Sequence, residues 1–295
     1  MTAADQHQDE AMYEDPAFRR SVHTLFDTVW KHLTPRIALA ARAGADWHAV
    51  SAPFVEMEGS TAVAHVGVIE IPLVLDGTPT TVAGVHAVGT HPEHRKKGHI
   101  TRLLGRALAH VEERGLATAQ LTTASPRVFT PSGFRDLPMT RFEVAPVARS
   151  ETTLRQLSIH SDADRELLWR LLRHRTPVSH RLGVVEPGWL FVIDEVLASS
   201  GFSRLYAADD LDTVVALSLT GDTLTVLDVV ARELPPIEEL LARVPFDFRR
   251  VLLSFCPDRF DTQVIATHPG DADEHLMVRG PYTAGPLYLP PLAHC

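Results

Sequence analysis

Apolar residues fall at helical spacing through Ile100, Leu103, Leu104, Ala107, Leu108 and Val111, so one face of a helix there is apolar. Just before it, Val85–Gly89 reads as a buried strand, and Arg95, Lys96, Lys97 and Gly98 form the handover from strand to helix. Backbone N–H groups and the positive end of the helix dipole project at such a junction, and a glycine lets a ligand approach the main chain. The stretch Val85–Gly115 therefore reads as an anion seat, suited to a pyrophosphate.

The same pattern organises the rest of the first half. Asp15–Pro16 starts a helix through Phe18, Val22, Leu25, Phe26 and Val29, Pro35 interrupts, and a second helix runs to about Ala43. Phe54–Glu58 is a short strand, Ala62–Leu75 a long one, and Asp76–Gly77 turns back into Thr80–Gly89. Ala119–Thr123 and Thr140–Val144 are further strands on either side of a Pro126–Phe134 connector. After residue 150 the order repeats. Helices at Asp162–Leu172 and Trp189–Ala198 precede strands at Arg204–Ala208, Val214–Leu219 and Leu224–Ala231, then a helix at Ile237–Arg243 and a strand at Arg250–Phe255. Residues 1–14 read as a flexible tail, 15–147 as one domain and 151–295 as a degenerate second copy of it.

Composition narrows the function. A chain of 295 residues, 45% hydrophobic, buries a large core. Its formal net charge of −9 argues against general nucleic-acid binding. The Arg95–Lys97 cluster is thus a local positive spot for a small anion, with a solvated charge run as the alternative. Cys256 and Cys295 provide no disulfide framework, and neither a secretion signal nor a membrane span is evident. A cytoplasmic protein is expected.

These elements resemble a GNAT-type N-acetyltransferase. The segment Arg95-Lys96-Lys97-Gly98-His99-Ile100 is similar to the acyl-CoA signature Q/R-x-x-G-x-G/A, with Ile100 replacing the last small residue. Phe129-Thr130-Pro131-Ser132-Gly133-Phe134 matches the downstream Y-x-x-x-G-F element, with Phe129 in place of tyrosine. The fold class implied is α/β (α+β), a mixed, mostly antiparallel sheet flanked by helices, followed by a second degenerate unit. This tandem arrangement resembles the Eis-like acetyltransferases without their sterol-carrier-like domain. In the second half Arg232-Glu233-Leu234-Pro235-Pro236 carries no glycine, and Glu233 repels phosphate, so one nucleotide site per chain is expected.

The resemblance implies acetyl-CoA, or another acyl-CoA, as co-substrate. Its pantetheine would lie along Val88, Gly89 and Thr90, and its pyrophosphate on Lys96, Lys97, Gly98, His99, Ile100 and Thr101 beside Arg95. Ala124 and Ser125 would flank it. A phenyl ring at Phe129 has no proton to give a departing thiolate, which leaves Ser125, Thr130 or water as donor. Glu56, Glu58, His65, Glu70 and His86 are candidate bases, and in Eis-like enzymes the terminal carboxylate is the base, here that of Cys295. His91, His94 and His99 complete no ligand quartet, so no metal is expected. The implied partner is a small, cationic amine, with neither nucleic acid nor membrane; a non-catalytic acyl-CoA-binding protein and a protein lysine acetyltransferase are the alternatives. Oligomeric state is not fixed by the sequence.

Overall fold

The structure, a computed structural model, describes residues 11–185, 188–199 and 201–294. Asp15 caps α1 (Pro16–Val29) by accepting from the Ala17 N–H at 2.8 Å. The chain breaks at an extended Trp30 and a left-handed His32 before α2 (Leu33–Arg42). The break expected at Pro35 thus falls earlier. Pro35 sits in the first turn of α2, where its missing N–H has no partner to lose. A short α3 (Trp47–Val50) leads into the sheet. Of the stretch expected to be a flexible tail, residues 1–10 lie outside the described residues, while Ala11–Glu14 form a 3-10 turn and Tyr13 is buried.

Strands β1 (Ala52–Glu58), β2 (Thr61–Leu75) and β3 (Thr78–Thr90) form an antiparallel meander. Asp76 and Gly77, at φ 46° and 78°, make the tight turn between β2 and β3. α4 (His99–Glu113) crosses over to β4 (Ala119–Thr123), which lies parallel to β3. The chain continues through β5 (Arg135–Leu137), β6 (Thr140–Val144), β7 (Arg155–Gln156), α5 (Asp162–Leu172), β8 (Leu182–Val184) and α6 (Trp189–Ser199). It ends with β9 (Leu205–Ala208), β10 (Thr213–Thr220), β11 (Thr223–Ala231), α7 (Ile237–Ala242), β12 (Arg250–Leu253), β13 (Val264–Pro269) and β14 (His275–Arg279).

Two seven-stranded sheets result, β1-β2-β3-β4-β14-β5 with β8 beside the far end of β2, and β13-β6-β12-β11-β10-β9-β7. The second repeats the first: β10 and β11 are antiparallel, α7 crosses over, and β12 is parallel to β11. The mixed, mostly antiparallel α/β class and the degenerate second unit are thus seen directly. The boundary expected near residue 150 is crossed by strands in both directions. β6 pairs with β12 and β13, while β14 inserts between β4 and β5 and β8 pairs with β2. Strand pairing is long-range, so local periodicity located β6 but not its sheet. A core of α1, α2, α5 and α6 residues, including Phe26, Ile37, Leu168 and Phe191, joins the two halves.

Candidate functional site

The site begins where two strands part. β3 and β4 pair only at Ala83–Ala119 and Gly84–Gln120, although β3 runs on to Thr90 and β4 to Thr123. Val85–Val88 and Leu121–Thr123 therefore face an opening between parallel strands, and all seven residues line one cavity. On its other edge β3 carries a bulge. His65 pairs with Gly89 and Gly67 with His86, so Ala87 and Val88 together oppose Val66, and Ala87 takes φ 46°. Such a kink turns main-chain groups off the ladder and toward a ligand.

His65 fixes the bulge. Its Nδ1 donates to the Ala87 carbonyl at 2.8 Å, because a carbonyl only accepts, and its Nε2 then accepts from the Tyr13 hydroxyl at 3.0 Å. Burial pulls the imidazole pKa down to about 4 and pushes the Tyr13 hydroxyl up. A neutral His65 with both nitrogens engaged is a structural brace. His86 lines the cavity with its Nε2 2.9 Å from the Ser51 hydroxyl and its ring 4.8 Å from that of Trp47. Burial holds it neutral as well, with its pKa at about 3.

The anion seat lies beyond β3. Lys96 and Gly98 take φ 63° and 76°, and no side chain caps α4, so its first-turn N–H groups point outward. Arg95, Lys96, Lys97 and Thr101 are exposed around them, while Ile100 packs against the core. An acyl-CoA fits this arrangement: splayed main chain for an amide-bearing arm and a basic, uncapped helix start for phosphate. Buried His99 turns inward. Its Nδ1 accepts from Arg102 at 2.9 Å and stands 3.4 Å from Glu56. Glu58, His94 and His99 bring candidate metal ligands within 4.8 Å of one another, as do His91, Glu93 and His94. In the first group His94 already bonds Glu58 at 2.8 Å, with Lys97 3.7 Å from that carboxylate, which opposes a second cation.

The cavity has a volume of about 470 Å3. Trp30, Trp47 and Trp189, three of the four tryptophans, line it, and Phe129 stands in its wall, 5% exposed. Other expected residues fall elsewhere. Ala124 and Ser125 are exposed, Ser125 lies outside the lining, and the Thr130 hydroxyl donates to the Pro126 carbonyl. Thr122 and Thr123 take the place beside the cavity. Glu56 and Glu58 are held below the usual carboxylate range by hydrogen bonds to Arg102 and His94. Glu70 bonds Arg114 at 2.7 Å, in a separate depression. None of the three reaches the cavity.

One carboxylate does, and sequence reading missed it: Asp194, on α6. Its helical neighbours Leu190, Ile193 and Leu197 line the cavity too. The spacing i, i+3, i+4, i+7 was the available signal, obscured by a helix apolar on most sides. Cys295 lies outside the described residues. The preceding segment is packed, with Leu287, Tyr288, Leu289 and Ala293 buried, and His294 lines the cavity. The His294 ring is held between Glu274 at 2.8 Å and the Leu289 carbonyl at 3.0 Å.

The site is thus a parallel pair of strands splayed beside a bulge, with a basic helix start at its mouth. Residues 20–136 match the acetyltransferase (GNAT) domain family, whose members take acyl-CoA as co-substrate. Three solved structures share the fold. A probable N-acyltransferase from Enterococcus faecalis is 14% identical with a TM-score of 0.55, over 93% of this chain and 70% of that one. A GCN5-related N-acetyltransferase from Kribbella flavida is 18% identical with a TM-score of 0.51, over 84% and 68%. Another, from Anabaena variabilis, is 14% identical with a TM-score of 0.52, over 94% and 71%. No curated protein matches the sequence. Among the described residues no helix is long and apolar enough to cross a membrane.

Proposed function

We propose that the protein transfers an acetyl group from acetyl-CoA to the amine of a small cationic acceptor, in the cytoplasm. The splay of β3 from β4 beyond Gly84, opening into a cavity between the two halves, carries this reading. Pantetheine lies along Val88, Gly89 and Thr90, and the pyrophosphate rests on the Lys96–Thr101 main chain with Arg95, Lys96 and Lys97 around it. The acceptor enters the tryptophan-lined side. Its nitrogen attacks the thioester carbon, a main-chain N–H at the Val88 bulge takes the developing oxyanion, and the carbon–sulfur bond breaks. Phe129 offers no proton, so water protonates the thiolate. Holding the two reactants in one cavity supplies much of the acceleration.

The missing phenol at Phe129 favours a second reading, a non-catalytic acyl-CoA-binding protein. Thiol release from acetyl-CoA with a panel of amines and lysine peptides separates the two, alongside calorimetric binding of acetyl-CoA. Turnover with a small amine is expected. Binding without turnover across the panel would favour the second reading.

A further inference from the structure

We propose that Asp194 seats the ammonium group of the acceptor, and that the acceptor is a singly charged primary amine on an apolar or aromatic body. The proposal rests on the acetyl-transfer reading and names its substrate class. Asp194 is the only carboxylate among the described residues that line the cavity. Its Oδ2 is buried with no hydrogen-bond partner. The next residue shows the contrast: Glu195, fully buried, bonds Arg204 at 2.7 Å, the Ser199 hydroxyl at 2.7 Å and the Arg204 N–H at 3.1 Å. The two adjacent carboxylates on α6 thus differ: Glu195 is satisfied, while Asp194 lines the cavity with one carboxylate oxygen lacking a partner. A buried carboxylate oxygen without a donor is costly, and its natural complement is a cation bearing hydrogen-bond donors.

The rest of the wall sets the body of the ligand. Trp30, Trp47 and Trp189 present aromatic surface, and Leu190, Ile193 and Leu197 cover the α6 side. Ring faces attract a cation while excluding water from it. A second positive charge finds no seat, because Lys31 and Arg36 also line the cavity and Arg36 is held by the Leu197 carbonyl at 2.7 Å. His294, also in the wall, is already engaged with Glu274. Polyamines and multiply charged sugars therefore meet like charge. A volume of about 470 Å3, shared with the acetyl end of the cofactor, fits an arylalkylamine.

The same contact supplies the nucleophile. Burial raises the Asp194 carboxyl well above the usual range, opposed by Arg204 and the His294 main-chain N–H. The ammonium passes one proton to the carboxylate, which leaves a neutral amine with a free electron pair and a neutral acid. That exchange removes both charges from an apolar site. The amine then forms the nitrogen–carbon bond as the carbon–sulfur bond breaks, and the proton on the new amide nitrogen leaves to water.

The test compares phenethylamine and tryptamine with spermidine and kanamycin as acceptors, in the full chain and in Asp194→Asn. The two monoamines should be preferred. Asp194→Asn should raise their KM by about 10- to 100-fold, the loss of one charge-assisted hydrogen bond. It should leave the acetyl-CoA Kd and the inhibition constant of neutral phenethyl alcohol unchanged, and Asp194→Glu should restore part of the loss. Melting curves establish that each variant is folded. A preference for spermidine or kanamycin, or an unaltered monoamine KM in Asp194→Asn, would overturn the proposal while acetyl transfer stands. If no amine releases thiol, the acetyl-transfer reading fails instead. Calorimetric binding of phenethylamine then decides Asp194, and equal affinity in the two proteins would sink it.

Discussion

Gly67 stands on β2 at the end of the bulge, and a methyl group there is driven into a histidine. An alanine Cβ would lie 2.5 Å from the His86 Cε1 and Nε2 and 3.0 Å from its Cδ2, contacts that real side chains do not make. His86 can yield only toward the cavity it lines, at the expense of its present contacts. It is 7% exposed, bonded to Ser51 at 2.9 Å and braced edge-on by Trp47. Overpacking of a tight core costs about 1–3 kcal/mol, and losing the Ser51 hydrogen bond adds about 0.5–1.5 kcal/mol. Gly67→Ala should therefore cost about 2–4 kcal/mol in all, a fall in Tm of roughly 4–15 °C for a chain of this size. Elsewhere in a strand the same change stabilises, through the entropy that glycine loses on folding. The assay is a denaturant titration with a thermal melt, and the acceptor KM should rise because His86 and Trp47 both line the cavity. A Tm equal to or above that of the natural protein would refute the reasoning.

His65 and His86, with pKa values drawn down to about 4 and 3, stay neutral in the fold while an unfolded imidazole titrates at 6.5. The unfolded chain thus binds more protons as pH falls. Stability is complete above pH 6.5 and is lost toward pH 4 and then pH 3, at roughly 1.4 kcal/mol per pH step for each ring; melts across pH 7.5–4.5 check this, and a flat profile contradicts it. Gly98→Ala puts a Cβ at φ 76° that meets only Arg102 Nη1, at 3.4 Å. Backbone strain of about 1–2 kcal/mol should lower Tm and weaken acetyl-CoA binding in calorimetry. Phe129→Tyr places a phenol in the cavity wall. A higher kcat with a new limb in the pH–rate profile is expected, and an unchanged profile would show that water already supplies the proton.

The sequence disclosed what is local. The α4 face of Leu103, Leu104, Ala107, Leu108 and Val111 is buried as its spacing predicts, and Ala119–Thr123 and Thr140–Val144 are strands with those ends. The positive-φ glycine at the anion loop was legible because few other residues adopt that backbone. Candidate bases were not. Alternation along β1 and β2 shows that Glu56, Glu58 and Glu70 leave the core, but not which surface a ligand reaches. β13 shows no buried face in its pattern, and β14 is a short apolar run whose partners lie about 150 residues upstream, beyond any local signal. Tyr13 appears polar-flanked and terminal in sequence, and only the fold brings it to His65.

The traded strands carry a consequence for how the molecule forms. On the ribosome, β1–β4 emerge early, yet the edge of β4 stays open until β14, at residues 275–279, leaves the exit tunnel. β6 waits likewise for β12. The first sheet closes only once residue 279 has been made and the second only after residue 253, and loop closure over that span is slow. Exposed β4 is meanwhile a template for another nascent chain. The cavity, walled by β3, β4, α6 and His294, therefore assembles late, and a nick between the halves need not release them, because each is stitched to the other by its own backbone.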